Sequence, residues 1–176
     1  MLRKVALVLA AVTGFALVAP VVAGAVPAAC APVDWGSADK VVSPTTSGYV
    51  ADVRAGRQEC FDRLVFDFAG ANDGFWVGYV PEVAHEGSGD PVPLRGAGKL
   101  HVMVHSPAYD GDGNPTYVFA DAAELVDVTG FQTFRQVAWA GSFEGVTSVG
   151  LGVRARLPFR VFTLSGRVVV DVAHVW

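Results

Sequence analysis

The sequence is poor in several things, and each shortage narrows the reading. Only two cysteines, Cys30 and Cys60, occur in 176 residues, so one intramolecular disulfide is the sole pairing open to it. Beyond the first 25 residues no apolar run is long enough to span a bilayer. Basic residues are scarce, with 13 Lys and Arg against 17 Asp and Glu. Arg3 and Lys4 belong to the N-terminal segment, so past it 11 basic residues (13 less 2) face 17 acidic ones, a net charge of −6. That balance argues against nucleic acid and against anionic membrane surfaces. The four histidines include no pair at zinc-binding spacing. His101 and His105 would share one face of a strand, but four positions put them roughly 13 Å apart. Nor is there a Gly-x-Ser-x-Gly nucleophile turn, because Ala140 and Glu144 stand where the glycines around Ser142 belong. No cofactor is expected.

What is present begins with a leader. Residues 1–25 read as a signal peptide: Arg3 and Lys4 form the cationic start, Val5 to Ala19 the apolar stretch, and Ala23-Gly24-Ala25 the cleavage site. Cys30 follows closely, but Pro27 stands where a lipid-attachment site needs an aliphatic residue, so a lipoprotein is disfavoured. The expected product is secreted, with about 150 residues, enough for one domain with a real core. An irregular arm spans residues 26–48 and the domain residues 49–176. Outside the cell Cys30 and Cys60 meet oxidising conditions, and a disulfide tying the arm to the domain is expected.

One short phrase occurs twice. Arg63-Leu64-Val65-Phe66-Asp67-Phe68 and Arg167-Val168-Val169-Val170-Asp171-Val172 share the order Arg, aliphatic, Val, apolar, Asp, apolar. In extended chain, Leu64, Phe66 and Phe68 enter a core, as do Val168, Val170 and Val172. Antiparallel neighbours would set Arg63 against Asp171 and Asp67 against Arg167, a favourable match, whereas parallel pairing opposes like charges. The alternative is that β-branched strands simply look alike.

Elsewhere, short alternating runs are separated by Gly, Pro and Asn/Asp turns. Strands are expected at Tyr49–Arg54, Cys60–Phe68, Phe75–Val80, Lys99–Ser106, Phe131–Ala140, Thr147–Arg154, Phe159–Leu164 and Arg167–His174, with a possible ninth at Val126–Val128. Pro81 to Gly98 reads as a long loop, and Asp121–Leu125 as a helical turn. Eight or nine strands with no helix past the leader read as an all-β antiparallel sandwich.

The phrases, together with Trp35-Gly36-Ser37, Asp52-Val53-Arg54, Gly87-Ser88-Gly89, Pro107-Ala108-Tyr109-Asp110, Phe134 to Trp139, Gly141 to Gly145 and Leu157 to Val161, resemble the AMIN-like domain of exported actinobacterial proteins. That group is distantly similar to the AMIN modules of cell-wall amidases. The resemblance implies a small β-sandwich. By analogy with AMIN, it also implies a non-catalytic module that binds peptidoglycan. It supplies no catalytic or ligand residues.

Candidate residues therefore come from the chain itself. On the stretch Phe131–Ala140, Arg135 and Trp139 beside Gln136 would suit a carbohydrate or peptide, through ring stacking and bidentate hydrogen bonds. The competing reading makes Trp139 core and Arg135 a structural clamp. Ser142 and Glu144 are the groups a wall hydrolase would recruit. Arg154, Arg156 and Arg160 form a basic group that suits an anionic wall polymer or neighbouring carboxylates. Asp110 to Asn114 opens like a calcium loop, but Pro115 holds the place of the required Gly and Asp121 that of the bidentate Glu, so a plain turn fits better. Three functions follow: a cell-envelope binding module, a wall glycan or peptide hydrolase, and an exported protein-interaction module.

Overall fold

The computed structural model describes residues 30–176; the expected leader and its cleavage site lie outside the described residues. Among the described residues eleven strands are present: β1 (Lys40–Val42), β2 (Tyr49–Arg57), β3 (Phe61–Ala69), β4 (Phe75–Tyr79), β5 (Val83–Ala84), β6 (Pro91–Val92), β7 (Gly98–Val104), β8 (Phe134–Phe143), β9 (Val146–Val153), β10 (Phe159–Leu164) and β11 (Arg167–Ala173). They form a five-stranded sheet, β1-β4-β7-β9-β8, a four-stranded sheet, β10-β11-β3-β2, and the separate pair β5-β6. All pairings are antiparallel. The expected sandwich is present, with β1, β5 and β6 as the strands the sequence did not announce. Val126–Val128 is not a strand, and no helix occurs among the described residues. None is therefore long and apolar enough to cross a membrane.

The phrase strands are neighbours. β11 pairs with β3 so that Arg63 faces Asp171 and Asp67 faces Arg167. Leu64, Phe66, Phe68, Val168, Val170 and Val172 enter the main core. There they meet Leu100, Val102 and Val104 of β7 and Val149, Leu151 and Val153 of β9, from the opposite sheet. The outer face of the phrase strands is not simply solvated, however. Val65, Val169 and Asp171 are also buried: the register sets Arg54 beside Val65 and Phe162 beside Val169, and Asp171 is held by Arg63 and Arg160.

β8 departs from the expected span, starting at Phe134 and running through Gly141 to Phe143. Its register shifts twice against β9, between Phe134 and Gln136 and between Trp139 and Gly141. Each bulge inserts a residue and resets the alternation. Phe134 and Val137 both reach the main core, while Ala138 and Ala140 face outward. The turn into β9 is Glu144-Gly145, with φ of 48° and 82°, a backbone whose twist suits a two-residue hairpin.

Two irregular segments complete the molecule. Residues 80–97 fold across the outside of the five-stranded sheet, where β5 and β6 bring Val83 and Val92 onto Ala138 and Ala140. Small residues on β9 permit this approach: a Cβ at Gly150 would stand 2.8 Å from Leu94 Cδ1, and one at Gly152 would collide with the Arg95 carbonyl. Residues 107–133 close the side where β2 and β8 are the edges. The Val50 N–H donates to the Pro107 carbonyl, and the Leu125 and Trp139 N–H groups to the carbonyls of Val137 and Ala122. Both edges are thus capped by irregular chain rather than left open.

Cys30 and Cys60 form the expected disulfide, tying the arm to the start of β3. Beside it lies a buried carboxylate. Asp62 accepts the N–H groups of Thr133 (2.6 Å) and Phe134 (2.9 Å) and the Nε2–H of His174 (3.2 Å). One side chain thereby joins the start of β3, the start of β8 and the end of β11.

Candidate functional site

The described residues contain no group of three or more His, Cys, Asp or Glu that could hold a metal ion. The expected plain turn at Asp110 is there: its carboxylate accepts the backbone N–H groups of Asp112 and Asn114 at 3.0 and 2.8 Å. It is engaged in its own loop, and the Asn114 side-chain amide, which donates at 3.1 Å, together with those backbone N–H groups holds its pKa below the ordinary carboxylate value.

A recess lies outside the five-stranded sheet, where the β5-β6 pair and residues 122–123 meet β8. It has a volume of about 230 Å³ and is walled by His85, Val92, Pro93, Ala122, Ala123, Gln136, Ala138 and Trp139. Backbone bonds build it: the 122–125 segment lines up along the β8 edge, and the His85 N–H donates to the Asp90 carbonyl. Gln136 supports the wall more than it offers hydrogen bonds. Its Oε1 accepts the Arg95 N–H (2.7 Å) and its Nε2 donates to the Ala123 carbonyl (2.9 Å). Trp139 is half-buried and packs on Phe119 and Tyr117, with ring centroids 5.0 and 6.1 Å away. His85 is the one titratable side chain in the lining.

Of the residues singled out from the sequence, Gln136 and Trp139 come together at this recess and the others do not. Arg135 donates to the carbonyls of Phe131, Gln132 and Phe134, so it clamps the entry to β8. The Ser142 hydroxyl accepts the Ala108 N–H at 2.9 Å and lies 3.0 Å from Thr147 Oγ1, whose own proton goes to the Ser106 carbonyl at 2.7 Å. No base reaches it. Glu144 is exposed at its hairpin tip, and Arg154 donates to the His174 carbonyl. The three arginines of the supposed basic group disperse: Arg156 binds Ser37, and Arg160 binds Asp171.

A family model of the AMIN-like domain matches residues 48–174. The chain belongs to the AMIN-like domain family. Searches of the curated proteins and of the solved structures return no match. The matched span of this AMIN-like domain contains every strand of both sheets except β1, together with the recess and both phrase strands.

A Ser–His–Glu set also lies on the outer face, and its geometry disqualifies it as a catalytic triad. His101 Nε2 is 3.1 Å from Ser148 Oγ, while Ser148 donates to Glu86 Oε1 at 2.7 Å. Glu86 lies on the same Nε2 edge of the ring, 3.7 Å away. A triad acid instead binds the far nitrogen and leaves the serine proton to the imidazole. Here the proton chain runs from His101 through Ser148 to Glu86, and Ser148 is buried. Burial pushes the His101 pKa below the ordinary imidazole value, an effect that Glu86 partly offsets.

The AMIN-like domain carries one more built surface, outside the four-stranded sheet. Arg63 binds Asp171 through Nε and Nη2 at 2.6 and 2.9 Å, and Arg160 adds its Nε at 2.8 Å. Trp35, Phe61 and Phe162 surround the two guanidiniums at 4.3–5.5 Å. Sequence reasoning foresaw the Arg63–Asp171 pair but missed the part played there by Arg160 and the rings, and it missed His85. The clue to the pair lay in the phrases themselves, which place charge on the outer face at fixed intervals.

Proposed function

We propose that this AMIN-like domain is a secreted, non-catalytic module that holds to the cell envelope by binding peptidoglycan glycan at the recess beside Trp139. The supporting observation is the recess itself: an open, mainly apolar hollow with an indole and an imidazole in its wall and no carboxylate or hydroxyl nucleophile. A volume of about 230 Å³ lies below the range of pockets that engulf drug-sized ligands. It fits one sugar residue or its acetamido group presented by a chain running past. Aromatic and apolar walls take the C–H face of a sugar, and His85 supplies a hydrogen bond to a hydroxyl or amide. The Cys30–Cys60 disulfide suits work outside the cell.

Co-sedimentation with insoluble cell wall tests this reading. The protein should pellet with wall, and His85→Ala should reduce retention severalfold without changing the circular dichroism spectrum. Recovery of the unaltered protein wholly in the supernatant would overturn it.

A further inference from the structure

The two phrase strands impose an approximate two-fold relation on the outer face of their sheet. Asp171 is held by its cross-strand partner Arg63 and by Arg160 of β10. Asp67 is held by its cross-strand partner Arg167 (2.9 Å) and by Arg54 of β2 (2.5 Å). Each group has two guanidiniums on one carboxylate, hence one positive charge in excess. Four residues of strand separate the groups, roughly 13 Å.

The two halves differ in what surrounds them. Near Asp67 the spare charge is offset, because Asp52 lies opposite Asp67 on β2 and attracts Arg54. No aromatic ring stacks on either arginine there among the described residues. Near Asp171 the carboxylate is fully buried, and no second acid is bonded to either arginine among the described residues. The Arg160 guanidinium lies over the Trp35 ring, with Phe61 and Phe162 beside it. Arg160 spends only its Nε on Asp171, and its two Nη groups have no other partner among the described residues. Its side chain is 41% exposed.

We infer that Arg160, Arg63 and Trp35 form a second binding site, on the sheet opposite the recess, for a carboxylate borne on a sugar chain. The free Nη edge of Arg160 presents paired N–H donors in one plane, the geometry that takes a carboxylate bidentately. The buried Asp171 and the rings fix that plane before the ligand arrives, which lowers the ordering cost of binding. Trp35 covers one face of the guanidinium. A flat carboxylate lies within the plane, whereas the ester arms of a phosphodiester would project out of it toward the ring. The indole and Phe162 then offer apolar surface to the sugar that carries the acid. Since the whole chain has a net charge of −4, this is local recognition rather than general attraction of polyanions.

Three probes separate the outcomes: a hyaluronate hexasaccharide (carboxylate sugars), a neutral chitin hexasaccharide, and poly(glycerol phosphate). Each is titrated into the purified protein while the Arg160 Nε–H and Trp35 indole N–H resonances are followed. Hyaluronate should shift both signals saturably, and the other two probes should leave them in place. Arg160→Gln, in which Arg63 still holds Asp171, should weaken hyaluronate binding about tenfold. Arg167→Gln, at the related position that lacks rings, should not. Equal loss in the two variants, equal response to poly(glycerol phosphate), or no saturable shift with hyaluronate each overturns the assignment. Chitin shifts confined to His85 and Trp139 would bear on the recess alone.

Discussion

Asp67 and Asp171 hold equivalent positions in the two phrases, so replacing each by Asn isolates burial as a variable. Asp171 is completely buried and receives three charge-assisted hydrogen bonds, two from Arg63 and one from Arg160. In Asp171→Asn the charge is lost and a buried amide must share space with two guanidiniums that no longer have a counter-ion. The full penalty of breaking a buried pair is about 3–5 kcal/mol. Arg63 and Arg160 are 29% and 41% exposed, so both relax toward water, and we expect roughly 2–3 kcal/mol. Asp67 is 25% exposed and its partners about half exposed, which makes it a surface pair in the range of about 0–1 kcal/mol. For a domain of this size each kcal/mol moves Tm by roughly 2–4 °C. Urea unfolding followed by circular dichroism at neutral pH gives both values, provided the slope m stays unchanged. Added salt should erode the Asp67 contribution and leave that of Asp171 nearly intact. If Asp67→Asn costs as much as Asp171→Asn, or more, burial is not what distinguishes them and the reasoning fails.

Two further outcomes are expected. Burial lowers the His101 pKa in the fold, so as pH drops through about 6.5 the unfolded chain takes up a proton more readily than the folded chain, and stability falls. His101→Gln should remove that part of the loss between about pH 7 and 5.5, measured as the shift of urea midpoint with pH; equal shifts in both proteins would refute the assignment. Gly152→Ala, whose methyl would strike the Arg95 carbonyl, should cost about 1–3 kcal/mol. Gly111→Ala, with open space around it, should fall within about 0.5 kcal/mol in the same thermal scan, and similar losses at both sites would contradict the tight crossing over β9.

The elements that were legible in the sequence were those with a strict period or a single solution. β7 alternates without interruption, and Leu100, Val102 and Val104 are core. The phrases carry both their alternation and their charge order, and two cysteines allow one pairing. β8 was misplaced because bulges break the period that reveals a strand. β5 and β6, two residues each, hide in a Gly- and Pro-rich stretch because their stability comes from packing on Ala138 and Ala140. For the same reason the recess could not be foreseen. His85 reaches it through tertiary folding, and no local pattern marks that. Trp139 and Gln136 were visible as unusual residues on one stretch, but Gln136 proved to be bonded at both ends of its amide. Val65 and Val169 lie on the face turned away from the main core yet are buried, with Arg54 and Phe162 as their neighbours on adjacent strands.

The doubled phrase has a consequence for assembly. β3 and β11 are about a hundred residues apart, so no tight turn dictates how far one slides along the other. A slip of two residues keeps every valine on its proper side, and hydrophobicity alone would tolerate it. The charges do not, because that slip leaves each arginine facing an aliphatic residue, and a slip of four opposes Arg63 to Arg167 or Asp67 to Asp171. The ionic pattern thus works like a vernier, admitting one alignment among several that oil and water would accept equally.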